Sequence, residues 1–453
     1  MRPLRVSETG WQPMDGAGAR QPAWRPRSQG GERSLVPSTR SEGRHHLDDR
    51  GLTQDQLELV EKVRKFRTDV IDPLEPHKRE WIEDPDLRFP WEVVEEGSRR
   101  GLRTLSVPRE YGGADASMLD LCLTVEELAA GDMGIAVIFD QTWKIANTIG
   151  SMATQEQKEW FYPDFVSDHR FLLSIGIVEP DHATDVFMSR HLAEMDHRTV
   201  GLNTTAILED GHWVINGAKA MPSLASTAKL VVVLAQTEPD VPIHEGGTYF
   251  LVPTDTPGFR VGRIWDKMSQ RLADNAAMVF DNCRIPQSQQ LGERGRARHF
   301  PMTSGGNIEA GATTLGTARA AYEAAVAYAR ERIQGGRPLI EHQAIGMMLA
   351  EMAIELEAAR SLIWQAASAY DRGSTRTPLQ FMAKWFAVEA AVKVCMKSME
   401  VFGGFSIMRD MPVQKYMRDC LSFLHSDGSQ QSRLMLLQQR MLDPEETFFA
   451  SGS

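Results

Sequence analysis

The chain has 453 residues, 42% of them hydrophobic and 25% charged, with a formal net charge of -11. That length exceeds what one core supports and predicts two or three domains, and the acidic balance argues against a general nucleic-acid binder. No apolar run approaches the roughly 18 residues of a membrane span. The cysteines, Cys122, Cys283, Cys395 and Cys420, have neither metal-ligand spacing nor a disulfide framework, as expected of a cytoplasmic protein.

Residues 1–50 are rich in Arg, Gly, Ser and Pro and poor in large apolar side chains, so they cannot offset their own ordering entropy and read as a disordered tail. Glu8, Asp15, Glu32, Asp48 and Asp49 interrupt its basic character and disfavour a transit peptide. Residues 51–172 read as a helical domain. Leu57, Val60, Val63 and Phe66 recur at spacings of three, and Thr53 with Gln56 has capping-box spacing. Stretches 118–131 and 154–167 repeat the helical pattern.

Between 173 and 295 the pattern becomes short Val-, Ile-, Leu-, Phe- and Thr-rich runs, at 171–178, 203–208, 212–216, 229–236, 248–253, 258–264 and 276–280. Asp210-Gly211, Asn216-Gly217 and Pro257-Gly258 separate them, which predicts an antiparallel barrel or sandwich. From 296 to 445 helical spacing returns. Ile345, Met348, Met352, Leu356, Ala359, Ile363 and Ala366 form one stripe, and long segments at 307–333, 343–372, 378–402 and 429–441 suggest a four-helix bundle. Helices, then strands, then helices describe an α+β chain with segregated domains.

The sequence has no dinucleotide-binding Gly-rich fingerprint, Walker loop, paired metal-binding histidines or nucleophile elbow. It has small polar patches, each unremarkable alone, whose order is informative. Val178-Glu179-Pro180-Asp181-His182-Ala183-Thr184-Asp185 is followed by Trp213-Val214-Ile215-Asn216-Gly217-Ala218-Lys219 and by Asp266-Lys267-Met268-Ser269-Gln270-Arg271. Then come Glu341-His342-Gln343-Ala344-Ile345, Phe402-Gly403-Gly404, Pro412-Val413-Gln414-Lys415 and Met417-Arg418-Asp419. In this order and spacing, from about 53 to 442, the chain resembles the acyl-CoA dehydrogenase family, and in its last domain the medium-chain type.

The resemblance implies FAD between the middle and last domains, reaching a neighbouring subunit, in a homo-oligomer (dimer or tetramer). It implies an acyl-CoA substrate dehydrogenated at Cα–Cβ, with electrons passed to an electron-transferring flavoprotein. It places Val178 and Ser223 against the flavin, Thr184 near the pantetheine, and Arg332, Gln343, Glu400, Gly403 and Gly404 near the neighbour's FAD. Ser429 and Gln431 fall on the adenosine side, and Asn307 and Gly428 beside the substrate. Glu400 replaces a Gln, and Gln334-Gly335-Gly336 replaces a segment carrying an aromatic residue. The stretch Phe187–Val200 is longer than usual and reads as a lid, a partner-contacting loop or a plain surface excursion.

The family's base is a Glu in a Tyr-Glu-Gly-Thr turn. This chain has Ser426-Asp427-Gly428-Ser429, so Asp427 matches the base with one methylene less reach, and Ser426 widens the acyl cavity. A bulky, branched or cyclic acyl group is expected. Some members carry the base on the first long helix of the last domain, where this chain has Gly306, with Glu309 one turn on. Open alternatives on the same fold are a flavin monooxygenase, an enoyl-thioester reductase, an acyl-carrier-protein-linked dehydrogenase and a non-catalytic FAD-binding subunit.

Overall fold

The computed structural model describes residues 51–183, 186, 202–238, 241, 243–297, 302–374 and 378–442. The expected tail 1–50, Thr184 and the 187–200 stretch lie outside the described residues.

The first third is helical: α1 (Gln54–Phe66), α2 (Trp91–Arg99), α3 (Met118–Gly131), α4 (Met133–Met152) and α5 (Gln155–Ser167). Thr53 caps α1 in a capping box with Gln56, as its spacing predicts, and Ser117 with Asp120 and Thr154 with Gln157 do the same for α3 and α5. Helix α4 is different: nearly every side chain from Met133 to Ala146 is buried, so it carries no amphipathic stripe.

The middle third holds β1 (Leu173–Gly176), β2 (Thr205–Glu209), β3 (His212–Lys219), β4 (Leu230–Gln236), β5 (Gly247–Pro253), β6 (Phe259–Ile264), β7 (Ala276–Pro286) and β8 (Gln290–Leu291). They form one sheet in the order β6-β7-β3-β2-β4-β5-β8, with β1 parallel to β4. The sheet is therefore mixed rather than wholly antiparallel, and among the described residues no pairing joins β6 to β8 into a closed barrel. Asp210 and Gly211, both with positive φ (48° and 73°), make the β2–β3 hairpin turn. Asn216-Gly217 is not a turn. It sits inside β3 where the register against β7 shifts, and a Cβ on Gly217 would strike Thr204.

The last third is α6 (Met302–Glu331), a short hairpin of β9 (Ile333–Gln334) and β10 (Arg337–Pro338), then α7 (Gln343–Asp371), α8 (Pro378–Phe402), α9 (Val413–Cys420) and α10 (Gln430–Met441). Met352, Leu356, Ala359, Ile363 and Ala366 of the predicted stripe are all buried. One apolar core runs from Phe66, Val125 and Phe139 into Leu315, Met352 and Val388, so the first and last helical regions pack as one body.

Buried charges lock that packing. Glu127 on α3 meets Arg319 at 3.0 Å, Arg64 at 3.1 Å and Arg67 at 3.4 Å, while Arg360 meets Glu126 at 2.6 Å. Lys415 meets Asp132 at 2.6 Å and also Asp419, whose Oδ1 accepts the Gln270 backbone N–H at 2.7 Å; Arg418 grips Glu80. The Lys415, Arg418 and Asp419 positions that carried the family pattern thus tie all three regions together. Among the described residues no helix is long and apolar enough to cross a membrane.

Candidate functional site

Asp427 stands on the turn between α9 and α10. It and Gly428 both have positive φ (50° and 80°), a left-handed pair that glycine accepts freely and Asp tolerates. The turn is clamped from below. The Lys384 ammonium, buried on α8, donates to the carbonyls of Ser426 (2.7 Å), Asp427 (3.1 Å) and Gly428. Arg433, on the first turn of α10, donates to the Asp427 carbonyl, and a Cβ at position 428 would collide with its guanidinium. Ser429 caps α10 by accepting the Ser432 N–H at 3.2 Å.

The Asp427 carboxylate points away from these clamps, toward α4. Its Oδ2 accepts from Lys144 Nζ at 3.0 Å, and the same ammonium donates to Asp140 Oδ2 at 2.6 Å. Asp140 and Lys144 are i,i+4 neighbours on α4, and their side chains are 0% and 3% exposed against 29% for Asp427. Gly306 faces this ammonium: a Cβ there would lie 3.5 Å from Lys144 Cε. Gly306 therefore offers no side chain, and a methyl there would sit in ordinary contact with the Lys144 stem. Glu309, three residues on, is buried next to the same charges.

The electrostatics follow from depth and sign. Depth opposes ionisation of Asp427, but Lys144, Lys384 and Arg433 outweigh it and hold the carboxyl below the usual range. Burial pushes Asp140 up to about 6, with Lys144 opposing and Asp427 adding to the rise. Burial disfavours the charge on Lys144, yet Asp140, Asp427 and Glu309 hold its ammonium well above the usual range. Burial, with Asp140 and Asp427 adding and Lys144 opposing, pushes Glu309 well up, which keeps its carboxyl protonated. Burial, with Arg433 and Lys144 nearby, lowers Lys384 to about 7 against the pull of Asp427.

Val178 and Ser223 lie together at the sheet edge that α4 borders. The Val178 carbonyl accepts from Ala220 N–H at 2.9 Å, and the Ser223 carbonyl accepts from Ser174 of β1 at 2.6 Å. Ser223 Oγ receives an Asn275 N–H at 3.3 Å, which leaves its own proton to donate outward, and neighbouring Met221 is 56% exposed. Leu224, next along, has φ 62°, a strained conformation for a bulky side chain. Asp274 holds this loop through Ser226 (2.9 Å) and Thr227 (3.0 Å). Behind Val178, buried Glu179 meets Lys219 at 2.7 Å and accepts the Asn203 and Thr204 N–H groups at 2.7 and 3.0 Å. An edge whose hydroxyl donates to none of the described residues, beside an exposed, soft Met221, suits a flat, polar-rimmed ring such as a flavin.

Arg332, Gln343, Glu400, Gly403 and Gly404 gather elsewhere, at the far end of the bundle. Tyr328 of α6 stacks on Phe402 of α8 at 4.2 Å between centroids, which brings Gly403-Gly404 beside the hairpin that follows Arg332. Gln343, Glu400, Gly403 and Gly404 are exposed and Arg332 is half-buried. A Cβ on either glycine would meet nothing within 4 Å, so a ligand can approach the backbone there, and Arg332 supplies a fork of donors suited to a diphosphate. Gly306 and Arg332 mark opposite ends of α6, about 40 Å apart at 1.5 Å per residue. Asn307 is buried near Gly306, and Gln431 is exposed on α10.

Four residues at the site escape the motif reading: Asp140, Lys144, Lys384 and Arg433. The available signal was an acid and a lysine four residues apart within an otherwise apolar helix, since such charges are almost never fully buried unless paired.

Comparison with known proteins shows what the chain as a whole is similar to. The family model described as acyl-CoA dehydrogenase, N-terminal domain, matches residues 53–169, the middle-domain model matches 176–283 and the C-terminal-domain model matches 304–442. An acyl-CoA dehydrogenase of Bacillus subtilis is 32% identical over 395 residues, 86% of this chain and 99% of the relative. The cyclohexane-1-carbonyl-CoA dehydrogenase of Geobacter metallireducens is 32% identical over 353 residues, 76% of this chain and 87% of the relative. Among solved structures, butyryl-CoA dehydrogenase of Megasphaera elsdenii superposes with a TM-score of 0.78 at 28% identity, covering 86% of this chain and 99% of that one.

Proposed function

The chain belongs to the acyl-CoA dehydrogenase family of FAD-dependent oxidoreductases, and from that premise we propose that it dehydrogenates an acyl-CoA thioester at Cα–Cβ with Asp427 as the base. The observation that carries this reading is the Asp427 carboxylate: ionised, presented by a clamped left-handed turn, and bridged to α4 by Lys144, whose stem lies beside the side-chain-free Gly306. Bound FAD supplies the acceptor for the β-hydride. Val178 through its backbone and Ser223 through its hydroxyl orient the ring. Asp427 Oδ takes the proton from the α-carbon as the Cα–Cβ double bond forms. The Asp427 backbone N–H polarises the thioester carbonyl and lowers the acidity barrier at that carbon. Lys384 and Arg433 keep that N–H and carboxylate in fixed register. Thr184, Asn307 and Gly428 complete the thioester's surroundings, and Ser429 and Gln431 the adenosine side.

The acyl group is bulky, branched or cyclic. A base one methylene short needs the α-carbon close, and the small side chain of Ser426, with none at Gly306, leaves width for it. The relative named for cyclohexane-1-carbonyl-CoA supports this choice. The electrons leave to an electron-transferring flavoprotein. The assembly is a homo-oligomer in which Arg332, Gln343, Glu400, Gly403 and Gly404, at the opposite end of α6 from Gly306, serve a neighbouring copy's FAD. The protein works in the cytoplasm.

The test is anaerobic mixing of purified holoenzyme with acyl-CoAs while flavin absorbance is followed. Asp427→Ala is expected to abolish bleaching by at least the 10²–10⁴-fold typical of a lost general base, with FAD still bound. Bleaching retained in that variant would remove Asp427 from the mechanism.

A further inference from the structure

A hydrocarbon acyl chain is usually met by hydrocarbon side chains, but the space beside Asp427 is lined by charge. Lys144 bridges Asp140 and Asp427 at 2.6 and 3.0 Å, and Glu309 is buried beside them on α6. Asp140 Oδ1 and Glu309 Oε1 are both buried, and among the described residues neither has a hydrogen-bond partner. Asp140 Oδ1 belongs to a carboxylate whose other oxygen is already held at the cluster. An unsatisfied buried acceptor costs about 1–3 kcal/mol, and two in one place beside a proposed substrate cavity point to a donor that arrives with the substrate.

The charge balance says what kind of donor. The two ionised carboxylates, Asp140 and Asp427, face Lys144, with Lys384 and Arg433 behind the turn and Glu309 protonated. The negative charges are compensated, so the site does not need a cation. A carboxylate on the acyl tail would meet the two carboxyl oxygens head-on.

We propose that the acyl group carries a hydroxyl on its γ or δ carbon, which donates to Asp140 Oδ1 or Glu309 Oε1 while Lys144 holds Asp140 and the base in one frame. The placement follows from the bridge. The α-carbon meets Asp427, and Asp140 lies one ammonium further along, so the substituent sits two or three carbons beyond the α-carbon. Asp140 and Glu309 are then specificity-determining residues, and Lys144 is a positioning residue. This inference rests on the dehydrogenase reading above.

The experiment compares matched substrates on the holoenzyme by anaerobic flavin bleaching: 4-hydroxybutyryl-CoA against butyryl-CoA, and 4-hydroxycyclohexane-1-carbonyl-CoA against cyclohexane-1-carbonyl-CoA. A site that reads a substrate hydroxyl rejects the analogue lacking it by up to about 10⁴–10⁵, and with two partly redundant acceptors we expect at least a 100-fold preference in one pair. Glu309→Met is expected to cut that preference tenfold or more, while Glu309→Gln, which keeps an acceptor, retains most of it. Equal bleaching by both members of each pair, or an unchanged preference in Glu309→Met, overturns the hydroxyl proposal and leaves Asp427 as base. If the Met variant does not fold, the wild-type pairs decide. No bleaching by any of the four thioesters overturns this proposal and the dehydrogenase reading together.

Discussion

Lys144→Met is the most informative single substitution, because one ammonium serves two carboxylates. Met matches the stem's length and leaves Asp140 and Asp427 without the cation between them. Breaking a buried pair by removing one partner costs about 3–5 kcal/mol, and protonation of Asp140, already raised to about 6, recovers part of this as pH falls. Stability should therefore drop by about 3 kcal/mol at pH 8 and by clearly less at pH 5. For the base the sign is also fixed. Asp427 is held below the usual carboxylate range chiefly by Lys144, against its own depth. Without the ammonium, depth prevails and its carboxyl rises. A charge-assisted hydrogen bond is worth about 1.5–3 kcal/mol. Taking the lower end for a partly exposed carboxylate gives about one pH unit. Urea denaturation at the two pH values and anaerobic flavin reduction from pH 5 to 9 read both effects. An acid limb that does not move, with a stability loss under about 1 kcal/mol, would refute the claim that Lys144 governs the base.

Lys384→Met removes the donor to three turn carbonyls, and because a misplacement of about 1 Å can cost 10²-fold, flavin reduction at saturating substrate should slow by about that factor with FAD retained; a change within twofold would sink the clamp. Burial works against ionised Glu127, but Arg319, Arg67 and Arg64 hold it down to about 2, so it stabilises the fold above pH 4.5 and that contribution is lost as pH falls toward 2. Glu127→Gln should lose about 3 kcal/mol at pH 7 and flatten the acid-denaturation curve in that window, as monitored by circular dichroism. Lys219→Met strands the buried Glu179 behind Val178, so it should destabilise the protein by about 3–5 kcal/mol and raise the FAD dissociation constant in fluorescence titration; unchanged flavin binding would separate the ion pair from the flavin edge.

The fold was largely legible because most elements keep a one-sided pattern. The 343–372 stripe and the Thr53-Gln56 cap announced their helices, and Asp210-Gly211 announced its hairpin. Where legibility failed, tertiary burial had erased the pattern. Helix α4 is enclosed on all sides and has no stripe to read, and Asn216-Gly217, a turn signal by composition, sits inside a strand because β7 pairs across the irregularity. The parallel β1–β4 pairing depends on a long-range contact that no local periodicity encodes.

The site shows the same division in sharper form. Asp427 could be found by counting along a motif, because its backbone position is set by the turn that Gly428 makes possible. What controls that carboxylate comes from elsewhere in the chain: Lys144 is 283 residues away and Lys384 is 43. A motif therefore locates the group that reacts, whereas its protonation and reach are decided by charges that folding delivers. For that reason the shortened base does not by itself argue against catalysis. In this chain the carboxylate is drawn toward α4 by an ammonium that is itself fixed by Asp140, so the geometry to compare with a longer Glu is that of the whole bridge.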